Sequence, residues 1–267
     1  MKRSELTHAL ESLYDRFHRP EYISPDPLET VFRYRKNEDR EIVGLIAAAI
    51  AYGRVRQILD NIDRVLAPMG KSPKRYILST NRSDLETEFK GFKHRWTTCE
   101  ELVSFLLGIQ QVLKAWGSLE NAFMEFHIPE NGTVRNGLAG LVSAILQGEP
   151  HNSLLSDPMK SSACKRLYLY LRWMVRDDAI DPGCWTQVDP AHLIVPLDTH
   201  LYRAAKAFRM TKRKQANIQT SLEITKAFGK LAPGDPLKYD FVVTRLGIRN
   251  EMDLNTFLAS NGDDVFK

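Results

Sequence analysis

Apolar residues recur at the spacing of a helix face along almost the whole chain, and this one feature restricts the fold more than any other. Leu10, Leu13, Tyr14 and Phe17 fall at i, i+3, i+4 and i+7 of a charged N-terminal stretch. Residues 41–52 (EIVGLIAAAIAY) are apolar nearly all round, as a central buried helix requires. Val55, Ile58, Leu59, Ile62, Val65 and Leu66 make a stripe on a second helix. Thr98 followed by Glu101 has the form of a capping box, opening a helix with Leu102, Phe105, Leu106, Ile109 and Leu113 on one face. Ser118 caps a further helix, and residues 134–146 and 161–176 carry two more. Asp198 reads as the N-cap of a helix running to about Phe208, and Asp235-Pro236 as a cap with proline at the first helical position of a helix over 237–246. The only β-like run, 193–197 (LIVPL), is short and broken by proline, so it reads as an extended connector. The pattern predicts an all-α protein of about ten helices.

The 43% hydrophobic and 26% charged residues are those of a folded globular protein, and a chain of 267 residues buries enough surface to hold a core without metal or disulfide. No uncharged apolar run approaches the roughly 20 residues of a membrane span, and the charged first helix has no apolar run behind it. Cys99, Cys164 and Cys184 are odd in number and far apart, which fits reduced thiols in the cytoplasm and excludes a four-cysteine metal site. His94, His127, His151, His192 and His200 lack the close spacing of a metal site, so no metal is expected. The net charge of +4 permits a polyanionic partner without requiring one.

Two segments could carry chemistry. In 161–174 (SSACKRLYLYLRWM), Ser161 and Ser162 can cap a helix whose first-turn N–H groups bind an anion such as a DNA phosphate. Lys165 then lies in the first turn, where the helix dipole and neighbouring Arg166 both lower an amine pKa, as a nucleophilic lysine needs. Alternatively Lys165, Tyr168, Leu169, Arg172 and Arg176 form a solvated basic face. The second segment is Val195-Pro196-Leu197-Asp198-Thr199-His200-Leu201-Tyr202-Arg203. Asp198 there is either a simple helix cap or a carboxylate aimed into a cleft, able to stabilise positive charge developing on a sugar ring. Lys212, Arg213 and Lys214 form a basic turn that either grips phosphate or is merely solvated. Trp173 and Trp185 are core residues or base-stacking ones.

A proline, one apolar residue and then Asp-Thr-His at a helix start, with an arginine soon after, is similar to the glycine/proline–aspartate segment of the helix-hairpin-helix DNA glycosylases. The resemblance makes Asp198 the catalytic acid, with Thr199, His200 and Arg203 in register behind it. Phe208-Arg209-Met210 resembles a small turn of that family, and Lys238-Tyr239-Asp240-Phe241 through Leu246-Gly247 resembles its late helix packing back on the active site. Bifunctional members carry a nucleophilic lysine before the aspartate. Lys165 lies 33 residues before Asp198, a wider gap than in most members, and is similar in spacing and local sequence to the lysine of the archaeal branch acting on 8-oxoguanine. Residues 41–66 resemble the helix pair whose connecting turn is wedged into the duplex; Tyr52, Gly53 and Arg54 would be that turn, with Arg56 beyond it, although Gly53 read alone is a helix break. The family's leucine-proline-glycine-valine-glycine hairpin is missing, and Asp157-Pro158-Met159-Lys160-Ser161 stands in its place. The family's C-terminal iron–sulfur cysteines are missing too. The resemblance covers about residues 35–250, and the chain as a whole also resembles a widespread bacterial family of uncharacterised proteins.

The resemblance implies a single two-lobed helical domain, one lobe from about 40–147 and the other from about 1–39 plus 148–267, with Lys165 and Asp198 in the cleft between them. It implies a monomeric base-excision enzyme that acts on lesion-containing double-stranded DNA, with an oxidised purine as the candidate base, and needs no cofactor. Arg54, Arg56, Arg203, Lys212, Arg213 and Lys214 would border the cleft, with the acidic pair Asp263 and Asp264 away from it. Two rival readings are a non-catalytic DNA or RNA binder with the same fold, and a helical scaffold for another protein.

Overall fold

The computed structural model describes residues 3–149, 151–248 and 254–259. Among them are thirteen α-helices: α1 (Arg3–Phe17), α2 (Asn37–Ile50), α3 (Val55–Leu66), α4 (Pro73–Ser79), α5 (Arg82–Glu88), α6 (Cys99–Trp116), α7 (Leu119–Phe126), α8 (Arg135–Leu146), α9 (Lys165–Val175), α10 (Thr199–Ala207), α11 (Ile218–Gly229), α12 (Asp240–Ile248) and α13 (Leu254–Ala259). The one sheet is an antiparallel hairpin of β1 (Lys93–His94) and β2 (Thr97–Thr98), pairing Lys93 with Thr98 and His94 with Thr97. The protein is all-α, as the periodicity predicts. The count exceeds ten because α4, α5 and α13, at seven, seven and six residues, are too short to display a full apolar period. The hairpin escapes sequence reading for the same reason, since two residues per strand cannot show alternation. Asp263 and Asp264 lie outside the described residues.

Caps set the helix starts where the sequence places them. Thr98 Oγ1 accepts from the Glu101 N–H at 3.3 Å while Glu101 Oε2 accepts from the Thr98 N–H at 3.0 Å, a complete capping box. Ser118 Oγ accepts from the Asn121 N–H at 3.0 Å to open α7. Two starts come later than expected. The helix anticipated from Ser161 begins at Lys165, because Cys164 adopts φ +44° and no helix can continue through it. Asp235 does cap, accepting from the Leu237 N–H at 3.1 Å, but it closes a turn, and α12 begins at Asp240.

A single buried apolar cluster runs from α1 to α13. α2 lies at its centre and packs against α3, α4 and α9; Ile42, Ile46 and Ile50 are fully buried. Gly44 lets α9 approach, since a Cβ there would stand 2.7 Å from Met174 Cε. Tyr168, Tyr170 and Trp173 of α9 are also fully buried. Trp185 is buried as well, so both tryptophans singled out in the sequence are core residues.

Among the buried acids, Glu41 lies on α2 at the centre of this core. Glu41 is 3% exposed, and its carboxylate accepts from the Leu119 and Glu120 N–H groups at the start of α7 and from Trp185 Nε1 at 3.1 Å. It fastens α2 to the N-terminus of α7, where the dipole favours negative charge. Burial nevertheless pushes its carboxyl up to about 7, against the pull of those donors. No single described helix is long and apolar enough to cross a membrane.

Candidate active site

Asp198 is held by its own backbone. The extended segment before it is anchored by the Val195 N–H donating to Thr225 Oγ1 at 3.0 Å, and Leu193, Ile194, Val195 and Leu197 are buried. Asp198 is the N-cap of α10, with Oδ1 accepting from the His200 N–H at 2.9 Å and the Leu201 N–H at 2.8 Å. Both hydrogen bonds use one oxygen, so Oδ2 is left to face elsewhere. It faces Lys165, with Nζ at 4.0 Å.

Lys165 is the first residue of α9. Its position is set by Cys164, whose left-handed conformation puts a non-glycine residue in a region L side chains rarely adopt. The Cys164 N–H donates to Ser162 Oγ at 3.2 Å, and its buried thiol reaches Asp157 O at 3.5 Å. The serines therefore support the turn before the helix and do not cap it. Ser162 pairs with Asn217 in an isolated bridge, and the Ile218 N–H donates to Ser161 O at 3.1 Å, which ties the segment to the start of α11.

Lys165 and Asp198 open onto a cavity of about 50 Å³, room for a few waters. Asp26, Arg172, Asp240 and Arg245 line it as well, so three cations face three carboxylates. Two of the three pairs are closed: Arg172 Nη1 donates to Asp240 Oδ2 at 2.7 Å and Arg245 Nη2 to Asp26 Oδ2 at 3.1 Å. The Lys165–Asp198 pair at 4.0 Å is beyond hydrogen-bond length. Its side chains are 36% and 21% exposed, against 5% for Arg172 and 1% for Asp240. Asp240 Oδ1, also buried, has no hydrogen-bond partner. The cavity thus contains two closed ion pairs, one open one, and one unfilled acceptor.

The basic face anticipated on α9 is not solvated. Arg172 and Arg176 are both 4% exposed. Arg172 also donates from Nε and Nη2 to Asp181 Oδ1, while Arg176 pairs with Asp178, Asp181 and Asp235. Burial opposes the Arg172 charge, and Asp181 and Asp240 overcome it and hold the guanidinium protonated. Helical spacing placed these arginines on the face of Lys165, but carboxylates distant in sequence enclose them. Sequence reading also missed Asp26 and Arg245, which no local pattern connects to Lys165.

The remaining candidates are distributed elsewhere. Thr199 is exposed at the start of α10. His200 and Arg203 line a different cavity, shared with α12 and α13, where Gly247 makes room for the imidazole. Lys212, Arg213 and Lys214 are exposed on the turn after α10; Arg213 O accepts from the Tyr202 hydroxyl at 2.7 Å and Arg213 Nε pairs with Glu223 at 3.1 Å. Arg54 and Arg56 are exposed at the start of α3. Gly53, at φ +110°, makes the turn that separates α2 from α3. Tyr52 packs against the β1–β2 hairpin. Its hydroxyl donates to His94 O at 2.9 Å and meets Thr97 Oγ1, and its ring is stacked under Trp96 at 4.9 Å. Arg166 turns away from Lys165: its guanidinium donates to Ala49 O and Ser153 O and lies 4.7 Å from the Tyr52 ring. Among the described residues no cluster of three or more His, Cys, Asp or Glu side chains could hold a metal ion.

No curated protein and no solved structure matches the chain. A family model does match, over residues 26–249, a span that holds every residue lining the Lys165–Asp198 cavity, and the chain belongs to that family, described as a protein of unknown function (DUF2400).

Proposed function

We propose that the protein is a DNA base-excision glycosylase with an associated lyase step, and that Lys165 and Asp198 carry it. The observation behind this reading is the open pair: an amine and a carboxylate oxygen 4.0 Å apart at the starts of two helices, in a cavity whose other ion pairs are closed. A purely structural salt bridge would be expected to close as its neighbours do. The residue types also fit the likeness of this segment to the helix-hairpin-helix glycosylases, in which an aspartate at this place in the motif acts on the sugar.

On this reading Asp198 Oδ2 stabilises the positive charge that builds on the deoxyribose as the glycosidic bond stretches. Lys165 gives up its ammonium proton to solvent, the amine attacks C1′, the C–N bond to the base breaks, and the base leaves with the electron pair and takes up a proton. The nitrogen then loses one proton and its lone pair opens the ring: the C1′–O4′ bond breaks, O4′ takes up that proton, and a protonated Schiff base is left at C1′. Removal of a C2′ proton then expels the 3′ phosphate and cleaves the strand. Oδ1 stays on the α10 amides throughout, so the carboxylate keeps its aim. A flipped base is larger than the cavity, so the mouth between α9 and α10 opens on DNA binding. The same reading makes the molecule two-lobed, with the helices of about 40–147 on one side of the bound duplex.

The test is borohydride trapping on a panel of lesion-containing duplexes, since reduction fixes the Schiff base. The wild type is expected to trap and Lys165→Gln, which keeps most of the stem and loses the amine, is expected not to. Base release without trapping would make the enzyme monofunctional, with Asp198 activating water. Tight binding with no release from any lesion would replace this reading by a non-catalytic nucleic-acid binder.

A further inference from the structure

The β1–β2 hairpin presents one tryptophan to solvent. Trp96 is 58% exposed, against 43% for Phe32. Arg95 and Trp96 are the two residues of the turn, and Arg95 sits at φ +55° in the first central position, where glycine is favoured. That conformation lays its guanidinium 4.7 Å from the centroid of the Trp96 ring and its stem against Gly53, where a Cβ would lie 3.2 Å from Arg95 Cδ.

The hairpin is rigidly founded. Tyr52 stacks on Trp96 with rings 20° apart, His94 Nε2 bonds to Tyr52 O at 2.9 Å, and Asn61 of α3 meets His94 Nδ1 at 3.2 Å. Arg166, Tyr52, Trp96 and Arg95 thus form a chain of stacked contacts that ends in solvent at the hairpin tip. Trp96 also borders a groove of about 380 Å³ together with Ser153, Lys160, Ser162 and Arg166. Arg166 follows Lys165 in the first turn of α9, so the groove and the Lys165–Asp198 cavity lie on two sides of one helix start. Lys93 is exposed three residues before Trp96, and Arg54 is exposed next to Gly53, against which the Arg95 stem lies.

We propose that Trp96 is the residue that stacks on an unpaired DNA base, the one left opposite the nucleotide drawn towards Lys165, and that Arg95 moves from the indole face to a backbone phosphate as the base arrives. This rests on the DNA reading above, and it assigns to the hairpin the wedge role that the resemblance gives to Tyr52, Gly53 and Arg54. An aromatic face that any base can stack on, with Arg95 against it and Lys160 and Arg166 in the adjoining groove, suits an unpaired base of any identity. A fixed backing behind the indole lowers the entropy lost on binding.

The probe is a duplex carrying a tetrahydrofuran abasic site opposite 2-aminopurine, titrated with the wild type, Trp96→Ala and Trp96→Phe. Trp96→Ala is expected to bind about five- to a hundredfold more weakly and to lose the stacking-induced change in 2-aminopurine emission, while Trp96→Phe keeps most of both. Melting temperatures should fall by only a few degrees, roughly, because Trp96→Ala loses the Tyr52 stack and the Arg95 contact but little buried surface. If Trp96→Ala binds within twofold of the wild type, or binds weakly with the emission change intact, the assignment is overturned while the DNA reading stands. If the wild type binds neither this duplex nor its single strands at low salt, both fall together.

Discussion

Replacing Asp198 by asparagine and by alanine separates its two oxygens. Oδ1 holds the His200 and Leu201 N–H groups at 2.9 and 2.8 Å, and Oδ2 faces Lys165 at 4.0 Å. Both variants lose the charge. That removes a favourable term at the α10 N-terminus of about 0.3–1 kcal/mol and a loose, partly exposed ion pair contributing about 0–1 kcal/mol. Asparagine is as good an N-cap as aspartate, so Asp198→Asn keeps the helix start. Asp198→Ala leaves the two amides without their acceptor and costs about 1 kcal/mol more, which for a chain of this size lowers the melting temperature by a further 2–4 °C, roughly. Activity follows the other oxygen. On whichever lesion the wild type excises, single-turnover base release should fall about a hundred- to a thousandfold in both variants alike. Wild-type rates in Asp198→Asn would remove Oδ2 from the chemistry. Equal melting of the two variants would show that the cap does not anchor α10.

Glu41 should make stability fall as pH rises. Its folded carboxyl titrates near 7, above the 4.5 of the free side chain. The folded state therefore holds a proton that the unfolded chain has lost, and the group's contribution, full below about 4.5, disappears as pH passes 7. Denaturant melts between pH 5 and 8 should show a loss on the order of 3 kcal/mol that Glu41→Gln flattens; an unchanged slope in that variant would assign the pH dependence to other groups. Arg172→Leu should destabilise by about 3–5 kcal/mol, because Asp240, 1% exposed, loses its counter-charge while Asp181, 0% exposed, keeps only Arg176; a cost under 1 kcal/mol in urea melts would mean that Asp240 is protonated. Reversing Lys212, Arg213 and Lys214 to glutamate should weaken duplex binding and flatten its salt dependence by up to about three counterions; an unaltered slope would rule that turn out as a phosphate contact.

The fold class and the starts of α3, α6, α7, α8 and α10 were legible in the chain because they depend on neighbours in sequence. The capping box at Thr98, the Ser118 cap and the Asp198 cap each need only residues two or three positions away, and the apolar spacing of α2 and α3 is a property of one helix face. The same locality explains the failures. Nothing near Cys164 announces a left-handed residue, so the start of α9 was misplaced, and two-residue strands leave no pattern, so Trp96 went unnoticed beside the more conspicuous Tyr52-Gly53-Arg54 turn.

The sequence alone, then, determined an all-α chain with Asp198 at a helix start and Lys165 near another. Only the tertiary structure decided that these two share one cavity, that Arg172 and Arg176 are enclosed by Asp178, Asp181, Asp235 and Asp240, and that His200 and Arg203 face a different cavity from Asp198. The physical reason is range. Caps and helix faces are set by hydrogen bonds and packing within a few residues, whereas the company a charged side chain keeps depends on which distant helices the core draws together.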